Sequence, residues 1–248
     1  MAKTGRLAEL GTFLEGKRGV IADIAQTGVD PDRLVKAVLA MAMQNRELAE
    51  CAPVSVLQCA LRLAEIGLYP NQRFGPWVIK RGEEATLDLG AGGWKAACLL
   101  SGVFTRVECH AIRDGQPFEI RRGHVPPFEH RVTAEDIKSD QPIIGFYAWF
   151  FRADGAQEVR EVYLSEIRKI EKMSRGKAWS TNWEAMARTK ALKIACVEQA
   201  QGLPADNPLS CAAAADANEW EGTDTEPMPG TPEEKAKAIL QRRIGGTP

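Results

Sequence analysis

VFTRVECHAIRDGQPFEIRR, residues Val103–Arg122, sets two β-prone runs on either side of Asp114-Gly115, a strong turn dipeptide. The pattern predicts a β-hairpin. Just upstream, GGWKAACLLSG (Gly92–Gly102) is rich in alanine and leucine and suits a short helix opening at its glycines. Before it, PWVIKRGEEATLDL (Pro76–Leu89) holds two short runs around Gly82-Glu83-Glu84, a second hairpin. Downstream of Pro126-Pro127, IIGFYAWFFR (Ile143–Arg152) and EVREVYL (Glu158–Leu164) predict two more strands turning at Asp154-Gly155. Hairpins interspersed with helices, rather than alternating βαβ units, predict an α+β fold with a small mixed sheet and packed helices.

Outside this region the period is helical. Leu34, Val38, Met41 and Leu48 recur at helical spacing after Asp30-Pro31, where Asp30 can cap and Pro31 suits the first helical position. A further helix is expected from Pro53, with Ser55 near its start, Val56, Leu57, Leu61, Leu63 and Ile66 apolar, and Gly67 ending it. Helices return over 164–173 and 182–201. On the latter, Trp183, Met186, Ala187, Ile194 and Val197 share one face with Lys190 in its middle. That lysine either snorkels past the core or reaches a groove where phosphate is its counter-charge. After Gly202 the composition predicts a disordered acidic linker, and TPEEKAKAILQRRIGG a short terminal helix capped by Thr231. The expected organisation is a helical lobe over 1–70, a candidate for subunit contacts, then an α+β core over 71–201 and an acidic linker with a terminal helix over 202–248.

The 248 residues are 44% hydrophobic, enough for one core of ordinary size. Six cysteines without a CxxC pair, and an N-terminus lacking an apolar signal stretch, support neither zinc nor secretion and suggest a reducing cytoplasm. No apolar run approaches a membrane span. The formal net charge of −1 conceals an asymmetry. Residues 1–201 hold 28 Lys and Arg against 25 Asp and Glu, whereas 202–248 hold 4 against 8. Within 164–201 the ratio is 8 to 4, a local basic excess of the kind a phosphate-binding surface needs.

No GxxxxGK[ST] loop occurs, which argues against ATP-driven strand exchange or helicase action. His110, His124 and His130 lack a recognised zinc spacing, and no cofactor is expected. The positive signal is Lys80, Arg81, Lys95, Arg106, Arg113, Arg121, Arg122, Arg175, Lys177, Arg188, Lys190 and Lys193, alternating with Trp94, Trp179 and Trp183. Such cations contact phosphates without regard to sequence, and aromatic faces support unstacked bases. The candidate DNA-binding set is Lys80, Trp94, Lys95, Arg106, Arg113, Arg121, Arg122, Arg175, Lys177, Trp179, Arg188, Lys190 and Lys193. Competing readings are a metal-dependent nuclease, using Asp88, Glu108 and Glu119, and a scaffold that binds only protein.

Several segments together resemble the RecT family of phage-type single-strand annealing proteins. DPDRLVKAVLAMAMQNRELAECAPVSVLQCALRLAEIGLYPN (Asp30–Asn71) is similar to the family's N-terminal signature through Asp30, Pro31, Arg33, Leu48, Ala49, Pro53, Ser55, Gly67 and Leu68. Gly93, Trp94, Lys95, Ser101 and Gly102 resemble its central glycine-aromatic-lysine segment. HAIRDGQPFEIRRG and His130 fit the next part, and WSTNWEAMARTKALK (Trp179–Lys193) is similar to its tryptophan, Met-Ala and basic helix. The resemblance implies a non-enzymatic protein that binds single-stranded DNA and anneals complementary strands without ATP in recombination. It further implies ring or helical homo-oligomers in a phage or prophage setting, in the bacterial cytoplasm, beside an exonuclease and a host single-strand-binding protein.

Overall fold

A computed structural model describes residues 2–121, 123–138, 141–174 and 178–221. Four helices open the chain: α1 (Ala2–Gly16), α2 (Arg18–Ile24), α3 (Pro31–Gln44) and α4 (Pro53–Ile66), with a 3₁₀ turn at Arg46–Glu50. Asp30 caps α3 as expected, its Oδ1 accepting from the N–H groups of Asp32 and Arg33. Gly67 ends α4 in the left-handed conformation, at φ 88°. The motif residues also hold one another. The Asp30 N–H donates to the Tyr69 hydroxyl at 2.7 Å, and the Arg33 guanidinium lies 4.8 Å from the Tyr69 ring centroid.

Strands β1 (Trp77–Arg81) and β2 (Glu84–Asp88) form the hairpin predicted around Gly82. Ser55 ties it to α4: the buried hydroxyl donates to Ala52 O and accepts from Ala85 N at 2.8 Å. Helix α5 (Gly90–Leu100) follows. Its glycines are needed for close approach, because a Cβ at Gly92 would lie 2.2 Å from the Phe74 carbonyl oxygen. The central sheet contains β3 (Phe104–Arg113), β6 (Ile143–Arg152) and β7 (Gln157–Tyr163), antiparallel in the order β3-β6-β7. β6 and β7 turn at Asp154-Gly155 as predicted. The remaining helices are α6 (Ala134–Lys138), α7 (Leu164–Met173), α8 (Ala178–Thr181), α9 (Trp183–Ala200) and α10 (Pro208–Glu221).

The hairpin expected at Asp114-Gly115 does not form. A turn is present there, with Gln116 N donating to Arg113 O at 3.1 Å and Gly115 at φ 80°, but the flanking strands part. β3 instead pairs along its whole length with β6, from Phe104↔Arg152 to Arg113↔Ile143. The three-residue β4 (Phe118–Ile120) pairs with β5 (Phe128–His130). Strand length explains the exchange, since ten residues of β3 find only three possible partners in β4 and ten in β6. Each sheet among the described residues is antiparallel.

Phe146, Ala148 and Phe150 of β6 are buried against the helices, with α9 lying across the sheet. The fully buried side of α9 carries Ala187, Ala191, Leu192, Ala195 and Cys196. Of the apolar face predicted for it, Ala187 is buried, while Trp183, Met186, Ile194 and Val197, with Lys190 among them, are only half-buried. A second correction concerns the segment after Gly202. Pro208–Glu221 is α10, with Leu209, Ala212 and Ala215 buried against α4, α5 and α9. Alanines mistaken for linker composition allow that close helix packing. One apolar cluster runs from Leu10 to Ala215, and a smaller one gathers Ile112, Phe128 and Tyr147 on the opposite face of the sheet. None of the described helices is long and apolar enough to cross a membrane. The terminal helix expected from Thr231 lies outside the described residues.

Candidate nucleic-acid interface

β3 forms one edge of the central sheet, and its last residue, Arg113, reaches α9. Arg113 Nη2 donates to Glu184 Oε2 at 2.7 Å, while Arg188 Nη2, one turn further along α9, donates to Glu184 Oε1 at 2.5 Å. A single carboxylate therefore bridges two guanidinium groups from different elements. Arg113 Nη1 also donates to Gln141 O at 2.9 Å, which fixes the direction of its side chain. β3 touches the α9 backbone a turn away, where Cys109 Sγ donates to Arg188 O at 3.6 Å. Burial pushes the Cys109 thiol up to about 12, opposed by Arg188 and Lys95. Lys95 on α5 is exposed. Arg113 of β3 and Arg188 of α9 thus meet at one sheet edge, while Lys95 acts electrostatically on Cys109 of the same strand.

Beside the two arginines lies a cleft of about 490 Å³, with His110, Gln116, His130, Tyr147 and Asp136 also on its walls. The imidazole of His110 stacks on Tyr147, with ring centroids 5.3 Å apart and planes at 27°. His130 Nδ1 lies 3.2 Å from the Tyr147 hydroxyl, and Nε2 lies 3.1 Å from Gln116 Oε1. That amide oxygen also accepts the Arg113 N–H at 2.9 Å. As an acceptor, it requires the proton on His130 Nε2, leaving Nδ1 to accept from Tyr147. Burial, aided by His110, lowers the His130 pKa below its usual value of 6.5.

Other predicted cations are dispersed and engaged. Lys80 on β1 pairs with Glu50 at 3.2 Å. Arg106 pairs with Glu108 and lies 5.1 Å from the Phe151 ring centroid. Arg121 lies between Glu119 and Glu129, which face each other across β4 and β5. Lys190 is half-buried, and Lys193 is turned away from the cleft to Asp216 of α10 at 2.6 Å. Trp94 and Trp179 are only 2% and 6% exposed, so the core, not a base, occupies their faces. Arg122, Arg175 and Lys177 lie outside the described residues.

The carboxylates considered for a nuclease occupy three different sheets: Asp88 accepts from Gly90 N, Glu108 is held by Arg106 and His110, and Glu119 by Arg121. No group of three or more His, Cys, Asp or Glu suited to a metal occurs among the described residues. Sequence reading passed over Glu184, Gln116 and Tyr147, and took His110 and His130 only as weak metal candidates. Their grouping depends on β3–β6 pairing and on α9 crossing the sheet edge. No local spacing carries that information.

The model of the RecT family matches residues 32–226, from the first turn of α3 through α10. The chain belongs to the RecT family. Among relatives, this RecT family chain is 25% identical over 160 residues to the uncharacterized protein YqaK of Bacillus subtilis (strain 168), a match covering 63% of this chain and 55% of that protein. It is 21% identical over 174 residues to Protein RecT of Escherichia coli (strain K12), covering 65% and 64% respectively. The chain therefore spans less than two thirds of the length of either relative. α10 lies within the region matched to the RecT family, in keeping with its place against α4, α5 and α9.

Proposed function

We propose that this protein binds single-stranded DNA and anneals complementary strands in recombination, without ATP and without breaking bonds. The family match over residues 32–226 carries the reading. Its physical support is the meeting of Arg113 from β3 and Arg188 from α9 at one sheet edge, since cations from separate elements can track a phosphate backbone. Annealing requires that two backbones approach while base edges remain free. Holding one strand by its phosphates meets both conditions, and stacking of the new duplex then drives the reaction. Repetition of the basic edge along a homo-oligomer extends the contact and raises avidity. The remaining expectations, a bacterial cytoplasmic setting and partnership with a phage exonuclease and a host single-strand-binding protein, belong to the same proposal.

The test incubates the protein with two complementary labelled oligonucleotides, with and without ATP and magnesium. The expected outcome is duplex formation independent of ATP, with strand lengths conserved. Shortened strands would indicate a nuclease. Absence of salt-dependent oligonucleotide retention would indicate a protein-binding scaffold.

A further inference from the structure

We propose that the cleft where β3 meets α9 is a single-nucleotide subsite, and that Glu184 occupies the place of the backbone phosphate while no strand is bound. The inference rests on the single-strand-binding reading and deepens it. Arg113 and Arg188 each donate to a different oxygen of Glu184, so the carboxylate presents two acceptors to two guanidinium groups. A phosphodiester also presents two non-bridging oxygens and matches the same donors. Glu184 lies in the first turn of α9, and Asn182 makes no side-chain capping bond there. The helix start also carries partial positive charge that favours an anion.

The base side is built as well. His110 is 47% exposed and rests on Tyr147, presenting a flat imidazole to the cleft. Tyr147, His130, Gln116 and the Arg113 backbone form one hydrogen-bonded chain, which fixes the aromatic shelf relative to the arginine. The volume of about 490 Å³ lies within the range of small-ligand sites. Other acids near the cleft have their own donors: Asp136 accepts from Thr133 N and Oγ1, and Glu108 from Arg106. Glu184 is the carboxylate interposed between the two arginines. A strand must displace it, so each binding event exchanges one charge pair for another and remains reversible.

The test measures anisotropy of a labelled oligothymidylate over a salt series. A second oligonucleotide carries one 2-aminopurine, whose fluorescence falls on stacking. Glu184→Gln is expected to bind roughly three- to tenfold more tightly at low salt, the range set by a partly exposed ion pair. The gain should vanish in an Arg113→Ala/Arg188→Ala background. His110→Ala should reduce the 2-aminopurine quenching while leaving the salt slope unchanged.

Unchanged or weaker binding by Glu184→Gln at an unaltered melting temperature overturns the phosphate-mimic assignment, as does a gain that persists without the two arginines. Unchanged quenching in His110→Ala overturns the base shelf. Should Glu184→Gln melt early, Glu184→Asp decides: it keeps the charge at the helix start but is one methylene too short to span both arginines, and it too should bind more tightly. If the wild-type protein itself fails to bind the oligonucleotide, the single-strand-binding reading fails instead.

Discussion

Lys193 illustrates how a side chain's partner decides its part. In sequence it belongs with the other cations of its helix, but it is only 13% exposed and faces Asp216, 18% exposed, at 2.6 Å. Lys193→Ala strands a mostly buried carboxylate and should lower stability by about 1–3 kcal/mol. Urea unfolding checks this. The slope of log affinity against log salt should stay at the wild-type value, whereas loss of a true phosphate contact would reduce it by about 0.7. Lys193→Met combined with Asp216→Leu should recover most of the stability. The types of the candidate residues were legible in the sequence, but their counter-charges were not. Glu184 stands 71 residues from Arg113, and Glu50 stands 30 from Lys80. Trp94 presents the same limit in apolar form, because local alternation with arginine cannot distinguish a stacking ring from a core ring.

Elements marked by local chemistry were legible: the Asp30-capped α3, α4 ending at Gly67, the hairpins at Gly82 and Gly155, and α5. Pairing decided at a distance was not. Asp114-Gly115 does turn the chain, yet no turn dipeptide reveals that a ten-residue strand will pair with β6. The β4–β5 ribbon left over depends on side-chain packing against the sheet, with Phe128 4.7 Å from Tyr147 and His130 bonded to Tyr147 and Gln116. Its stability should vary with pH. The folded pKa of His130 lies below 6.5, chiefly through burial, so on acidification the unfolded chain takes up a proton first. Stability from this group is full above pH 6.5 and is lost as pH falls toward the lower folded value. His130→Asn should flatten that part of the melting-temperature profile. An unchanged profile between wild type and variant would assign the pH dependence to other groups.

At the scale of the molecule, the α+β class and the order of helices and strands follow from period and punctuation in the sequence, while the extent of the core does not. α10 is rich in alanine and flanked by acidic residues, a composition shared with linkers, and only its fit against α4, α5 and α9 distinguishes the two. A chain ending at residue 207 loses Leu209, Ala212, Ala215 and the partner of Lys193. It should be destabilised by at least about 3 kcal/mol, judged by the cost of emptying one buried leucine site alone. An unchanged urea midpoint would show that α10 is dispensable. The same docking has a consequence during synthesis. Translation runs from the N-terminus, so α4, α5 and α9 leave the ribosome before the helix that covers them, and their apolar faces stay open until α10 emerges. A premature stop before Pro208 would release a product with an uncapped core, prone to aggregation and a target for chaperones and proteases.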